Sequence, residues 1–174
     1  MNTLTFDEQV ALLTKDLSGR LPYKVIISHP HTSYILGSPN TRENAVLTGI
    51  DPILREYSVG SKYTRISGLH IVLRGRILIK PYLRPMSSMT EEEKREFSIF
   101  IGKTETYRQQ ICLDSDSMCN PIIGGYKCVY WGLFDKCIDW LNAHHFDYRG
   151  LIPLGLAIDV TTLEDNPYND EFIY

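Results

Sequence analysis

The chain lacks any run approaching the roughly 18 apolar residues that a membrane span needs, so no membrane partner is expected. Its first residues, Met1 to Glu8, hold no basic segment followed by an apolar one. No secretory signal is read there, and the expected compartment is the cytoplasm. Cysteine is sparse: Cys112, Cys119, Cys128 and Cys137, separated by six, eight and eight residues. None makes the C-x₂₋₄-C spacing of structural zinc, and reduced, mostly buried thiols are the expected state. The chain has no G-x-x-x-x-G-K-[ST], no G-x-G-x-x-G and no G-x-S-x-G, which removes the phosphate loop, the dinucleotide fingerprint and the nucleophile elbow. Asp114 and Asp116 begin like a calcium loop, but its glycine and closing glutamate are missing. No metal and no cofactor is expected. A net charge of −3 argues against a dedicated nucleic-acid binder.

What remains is an ordinary globular composition. With 174 residues, 43% hydrophobic and 22% charged, the chain suits a single domain with a real core. Residues 5–18 form the first predicted helix. Phe6, Val10, Leu13 and Leu17 make one apolar stripe, Thr5 and Glu8 have capping-box spacing, and Gly19 and Pro22 stand ready to end it. Residues 24–80 read instead as short strands: Val25–Ile27 and Ser33–Leu36 around a His-Pro-His turn, then Ala45–Thr48, Glu56–Val59, Tyr63–Ile66, Leu69–Arg74 and Arg76–Lys80. The predicted class is α+β, with a small antiparallel sheet, curled or closed into an SH3-like barrel. Residues 80–86 are proline-rich and read as a rigid connector. A helical part over 90–158 follows. Thr90 and Glu93 repeat the capping box, and Phe134, Cys137, Ile138 and Leu141 mark a second helix ending near His144 or His145. Residues 159–174 form an acidic tail, expected to be loosely held.

Chemically capable side chains concentrate in Asp139–Ile152. His144, His145 and Asp147 are the catalytic candidates, as parts of a hydrolase or metal site. Neighbouring residues on a helix point about 100° apart, so the two histidines cannot face one metal without a break. Asp147 is placed to cap a short segment over Tyr148–Ile152. The residues favour a structural role: a helix end, an aspartate cap and aromatics filling the turn. The other candidate is a basic strand face. Arg55 to Arg84 holds seven basic residues and one acidic, whereas Gly150 onward holds five acidic and no Lys or Arg. Strand alternation puts His70, Arg74, Arg76 and Lys80 on the face away from the core, near Tyr82 and Arg84. Basic strands with aromatics bind single-stranded nucleic acid by phosphate pairing and stacking. The same charges equally keep an exposed sheet soluble, or meet the acidic tail. Arg149 is a further candidate for ligand binding.

Three strings, Leu21-Pro-Tyr23, Lys80-Pro-Tyr-Leu-Arg-Pro-Met-Ser-Ser-Met-Thr-Glu-Glu-Glu93 and Asp139-Trp-Leu-Asn-Ala-His-His-Phe-Asp-Tyr-Arg-Gly-Leu-Ile152, resemble a family of short proteins from gut Bacteroidales genomes and their phages or mobile elements. That family has no established activity, so the resemblance implies a genetic context more than a mechanism. Where its members run Gly-Leu-Ile-Glu-Lys-Gly-Leu-Ala, this chain has Pro153-Leu154, which shortens any helix after Arg149. The expected function is therefore a non-enzymatic cytoplasmic binding or regulatory protein of a phage or mobile element, with an unidentified protein or small ligand as partner. A nucleic-acid-binding module is the alternative, and a hydrolase or metal site the second.

Overall fold

The computed structural model describes residues 4–30, 42–60, 65–73, 76–100, 122–123, 126–127 and 131–169. The predicted strand Ser33–Leu36, together with Arg74, Cys112, Cys119 and Cys128, lies outside them. The chain forms two compact units. One runs to Leu83 and resumes at Leu151; the other is Arg84–Gly150.

The first unit opens with α1 (Phe6–Arg20). The capping box forms as its spacing predicts: the Thr5 amide donates to Glu8 Oε2 at 2.7 Å and the Glu8 amide to Thr5 Oγ1 at 3.4 Å. Val10, Leu13 and Leu17 are buried along the predicted stripe. The helix does not stop at Gly19. It continues to Arg20, whose guanidinium bonds Asp16 at 2.7 and 3.1 Å with both side chains fully buried. Pro22 then turns the chain through a 3₁₀ segment, and the left-handed residue is Lys24 (φ 52°).

The strands that follow are β1 (Ile26–Pro30), β2 (Arg42–Asp51), β3 (Glu56–Gly60), β4 (Arg65–His70), β5 (Val72–Leu73), β6 (Arg76–Ile77), β7 (Lys80–Leu83) and, near the C-terminus, β10 (Ile158–Asp159). Six of them make one sheet in the order β10-β7-β1-β2-β3-β4, while β5 and β6 pair apart as a ribbon. The pairings are antiparallel except β10 with β7. The α+β class holds. The sheet is open, with β10 and β4 at its ends and no closed barrel among the described residues. Its core face joins Val25, Ile27, Leu47, Tyr57 and Val59 to Leu13 and Leu17 of α1, with Ile71, Ile79, Leu83 and Leu151. Ile26, one residue out of phase, packs on the other face with Tyr82 and Val160.

Two sequence expectations change here. His29 and Pro30 belong to β1 and not to a turn. Lys80–Leu83 is not connector but an inner strand, with Pro81 opposite Ile27. A proline is normally excluded from that position because it cannot donate to the ladder. The ladder here is short, two rungs on each side. Where the next rung would join Ile26 to Tyr82, the Tyr168 hydroxyl substitutes: it accepts from the Ile26 amide at 3.3 Å and donates to the Tyr82 carbonyl at 2.8 Å. The tail is thus anchored as far as it is described. Asp159 caps a 3₁₀ turn over Val160–Thr162, and burial pushes the Tyr168 hydroxyl well above its usual pKa.

The second unit contains α2 (Glu91–Phe100), a ribbon of β8 (Ile122–Ile123) and β9 (Tyr126–Lys127), and α3 (Trp131–Ala143). The Thr90–Glu93 box forms at 2.8 and 3.2 Å. Met89, Phe97, Cys137, Leu141 and Phe146 build its core, with Cys137 fully buried.

Candidate functional site

The chemically rich turn follows α3, and its backbone explains it. The Phe146 amide donates to the Leu141 carbonyl at 2.9 Å and the His145 amide to Asn142 at 3.1 Å. These two bonds are a Schellman closure, which satisfies carbonyls left over at a helix end and needs one left-handed residue. His145 is that residue, with φ 57°. Its apolar companion contact is present as well, since Phe146 and Leu141 are fully buried in one cluster. The first unit repeats the closure at 151–156, with both bonds at 2.9 Å, and there the left-handed position is Gly155 (φ 70°).

His144, one residue earlier, takes a different path. Its Nδ1 lies 2.8 Å from the Trp140 carbonyl, an acceptor only, so the proton is assigned to Nδ1. The ring stacks on Trp140 at 4.0 Å. Phe146 and Phe97 flank the same indole at 5.7 and 5.2 Å.

Arg84 holds the turn from the other side. Its amide donates to the His145 carbonyl at 2.8 Å, and its own carbonyl accepts from the Asp147 amide at 2.7 Å. Its guanidinium lies 4.3 Å over the Phe146 ring and donates to both Glu93 oxygens, at 2.7 and 2.9 Å. That fork holds the Glu93 carboxyl at about 2; partial burial opposes the shift and the Thr90 amide assists it. Further along, Tyr148 donates its hydroxyl to Asn142 Oδ1 at 3.1 Å, and Arg149 lies 5.0 Å from the Tyr148 ring. Asp147 is 6% exposed but starts no helix. Tyr148–Ile152 is a succession of turns, with Gly150 at φ 73°. Among the described residues, no three His, Cys, Asp or Glu side chains are grouped to hold a metal ion.

The residues of the basic strand face lie in several places. His70 is exposed on β4, 3.8 Å from Glu56. Lys80 is half-buried on β7, with β1, β2 and β3 between them. Tyr82 is buried and donates to Asn44 Oδ1 at 2.7 Å. Arg76 is exposed on the separate ribbon, and Arg84 and Arg149 belong to the second unit. Two further groups escaped the sequence reading. Glu93 was visible only as a capping residue, and its bond to Arg84 reaches back nine residues within the second unit. His29 is buried opposite Glu43, with Nε2 3.6 Å from Oε1 and Tyr57 edge-on at 6.2 Å. Its alternation with Ile27 was the available signal, masked by Pro30. No helix among the described residues is long and apolar enough to cross a membrane. No family model, curated protein or solved structure matches the chain.

Proposed function

We propose that this chain is a non-enzymatic binding or regulatory protein, acting in the cytoplasm and carried by a phage or mobile element, whose partner is a protein or small ligand. The observation that carries the reading is how the His144–Arg149 turn is used. The backbone of His145 and Phe146 ends α3, His144 Nδ1 is bonded to Trp140, and Arg84 with Glu93 ties the turn down. A general base needs a ring nitrogen within reach of substrate, and these side chains serve the fold first. The genetic context rests on the three strings that resemble the Bacteroidales and phage family.

The test is activity of the purified protein on p-nitrophenyl acetate and p-nitrophenyl phosphate, with and without added zinc, beside retention of a labelled single-stranded oligonucleotide at low salt. The expected result is no turnover above buffer and no retention. Turnover that disappears in His144→Ala or His145→Ala overturns the proposal in favour of a hydrolase. Salt-sensitive retention that disappears in an Arg74→Ala/Arg76→Ala/Lys80→Ala variant replaces it with the nucleic-acid reading.

A further inference from the structure

The β2–β3 turn displays apolar surface that the core does not use. Asp51 Oδ1 accepts from the amides of Ile53 and Leu54 at 2.9 and 2.8 Å, which fixes the turn. Arg55 closes it with φ 54° and reaches Asp7 on α1 at 3.3 Å. Ile53 is nevertheless 89% exposed and Leu54 62%. The Asp51 bonds set the shape of the turn, and the two adjacent aliphatic side chains leave contiguous apolar surface on it, the kind of surface that docking uses where it extends further. Beside them is an open groove of about 360 Å³, walled by Pro52 and Arg55 on the turn and by Asp7, Ala11, Thr14, Lys15 and Ser18 on α1.

The α1 wall is a single helical face with small residues at its middle. Asp7 and Lys15 stand four residues to either side of Ala11. With a rise of 1.5 Å per residue, each lies about 6 Å from it along the axis. If a second α1 lies antiparallel along the groove, centred on Ala11, Asp7 of each copy faces Lys15 of the other. Both are exposed, and Lys15 has no ion pair among the described residues. The charges complement each other twice, as a two-fold axis requires, each Asp7 carboxylate then bridging Arg55 of its own chain and Lys15 of the other. Ala11 and Thr14 permit close approach, and Ile53 and Leu54 carry exposed apolar area on the turn between the groove residues Pro52 and Arg55. We infer that the α1 face and the β2–β3 turn form an isologous interface with a second copy of this chain. Such a dimer does not depend on what else the protein binds. An interface of one helix face and one turn falls below about 1,200 Å², the size class of weak and transient contacts, and the inference predicts association in the micromolar range.

Sedimentation equilibrium of the full chain from about 5 to about 200 µM spans that range. The wild type should pass from monomer to dimer. Ala11→Glu puts like charges face to face on the axis, as does Ala11→Lys; each alone should be monomeric, weakened by about tenfold or more, and an equimolar mixture should dimerise again. Glutamate and lysine are good formers at an exposed helix position, and circular dichroism checks that each variant is folded. As a second arm, Asp7→Lys and Lys15→Glu should each dissociate the dimer and together restore it. A wild type that stays monomeric throughout overturns the inference. So does a dimer untouched by the Ala11 variants, or a mixture of the two that fails to re-associate.

Discussion

Replacing His145 with glycine should stabilise the protein, although it deletes the most conspicuous side chain of its most conspicuous turn. A non-glycine residue in the left-handed region costs about 1–2 kcal/mol, reduced somewhat for histidine, which enters that region more readily than most. Glycine gives back about 0.5–1 kcal/mol through the greater freedom of the unfolded chain. The balance at φ 57° is a gain of about 0.5–1 kcal/mol, or about 1–4 °C in Tm for a chain of this size. His145→Ala is the necessary comparison, because it removes the imidazole and keeps the strain. The assay is urea or thermal unfolding followed by tryptophan fluorescence. The chain has two tryptophans, Trp131 and Trp140, and both are in α3, so the signal reports the unit that carries the turn. The expected order of stability is glycine, then wild type, then alanine. If the glycine variant falls as far as the alanine variant, the imidazole holds the turn and the Schellman account is wrong. A more stable glycine variant would also sharpen the question of why histidine is kept.

Three other perturbations test the rest of the framework. Glu93 is depressed from 4.5 to about 2 by Arg84, so its contribution is complete above about pH 4.5 and lost as pH falls toward 2; one pKa unit is about 1.4 kcal/mol. With allowance for its partial exposure, Glu93→Gln should remove about 1–2 kcal/mol at neutral pH and flatten the acid limb of stability, read from urea melts between pH 2 and 7. Tyr168→Phe strands the Ile26 amide and the Tyr82 carbonyl and should destabilise by about 1–3 kcal/mol. Because the buried hydroxyl titrates above its ordinary value of 10, its contribution is present below pH 10 and lost at higher pH. The variant should therefore lose less further stability in alkali than the wild type does. Arg20→Met leaves the Asp16 carboxylate fully buried without its fork and should cost about 3–5 kcal/mol, whereas Asp16→Leu/Arg20→Met should cost less than the single change. A single variant no worse than the double would show that the ion pair is not coupled.

Local chemistry was legible wherever it acts over one helical turn. Thr5 with Glu8 and Thr90 with Glu93 declared both capped helices, and the apolar spacing of α1 gave its buried face. What the residues did not reveal was who pairs with whom. Pro81 and Pro85 argued for a rigid connector because each proline forces its predecessor into extended backbone, and a strand position would leave Pro81 without a donor. Its strand survives because Tyr168, 86 residues beyond Tyr82, brings a hydroxyl to the place where the ladder lapses. No local window contains both. His-Pro-His argued for a turn because proline between two apolar runs is turn chemistry, while pairing of His29 with Glu43 and of Pro30 with Arg42 drew both His29 and Pro30 into β1.

The turn after α3 separates two kinds of information. Its side chains drew notice because histidine, aspartate and arginine are rare enough to look chosen. Its structural work is done chiefly by amides and carbonyls, which every residue carries alike, and by one φ angle. At 151–156 the same two bonds form around Gly155, and glycine there announces the turn at once. At 141–146 histidine occupies the equivalent place, so the glycine that marks a helix stop was missing, and the helix end near His144 or His145 had to be read from the apolar spacing alone. The remaining clue was the apolar pair Leu141 and Phe146, five residues apart, which a helix alone would not bring together on one face. A left-handed bend between them does, and Arg84 holds the closed form through its own backbone and the Phe146 ring, with its guanidinium fixed in place by Glu93.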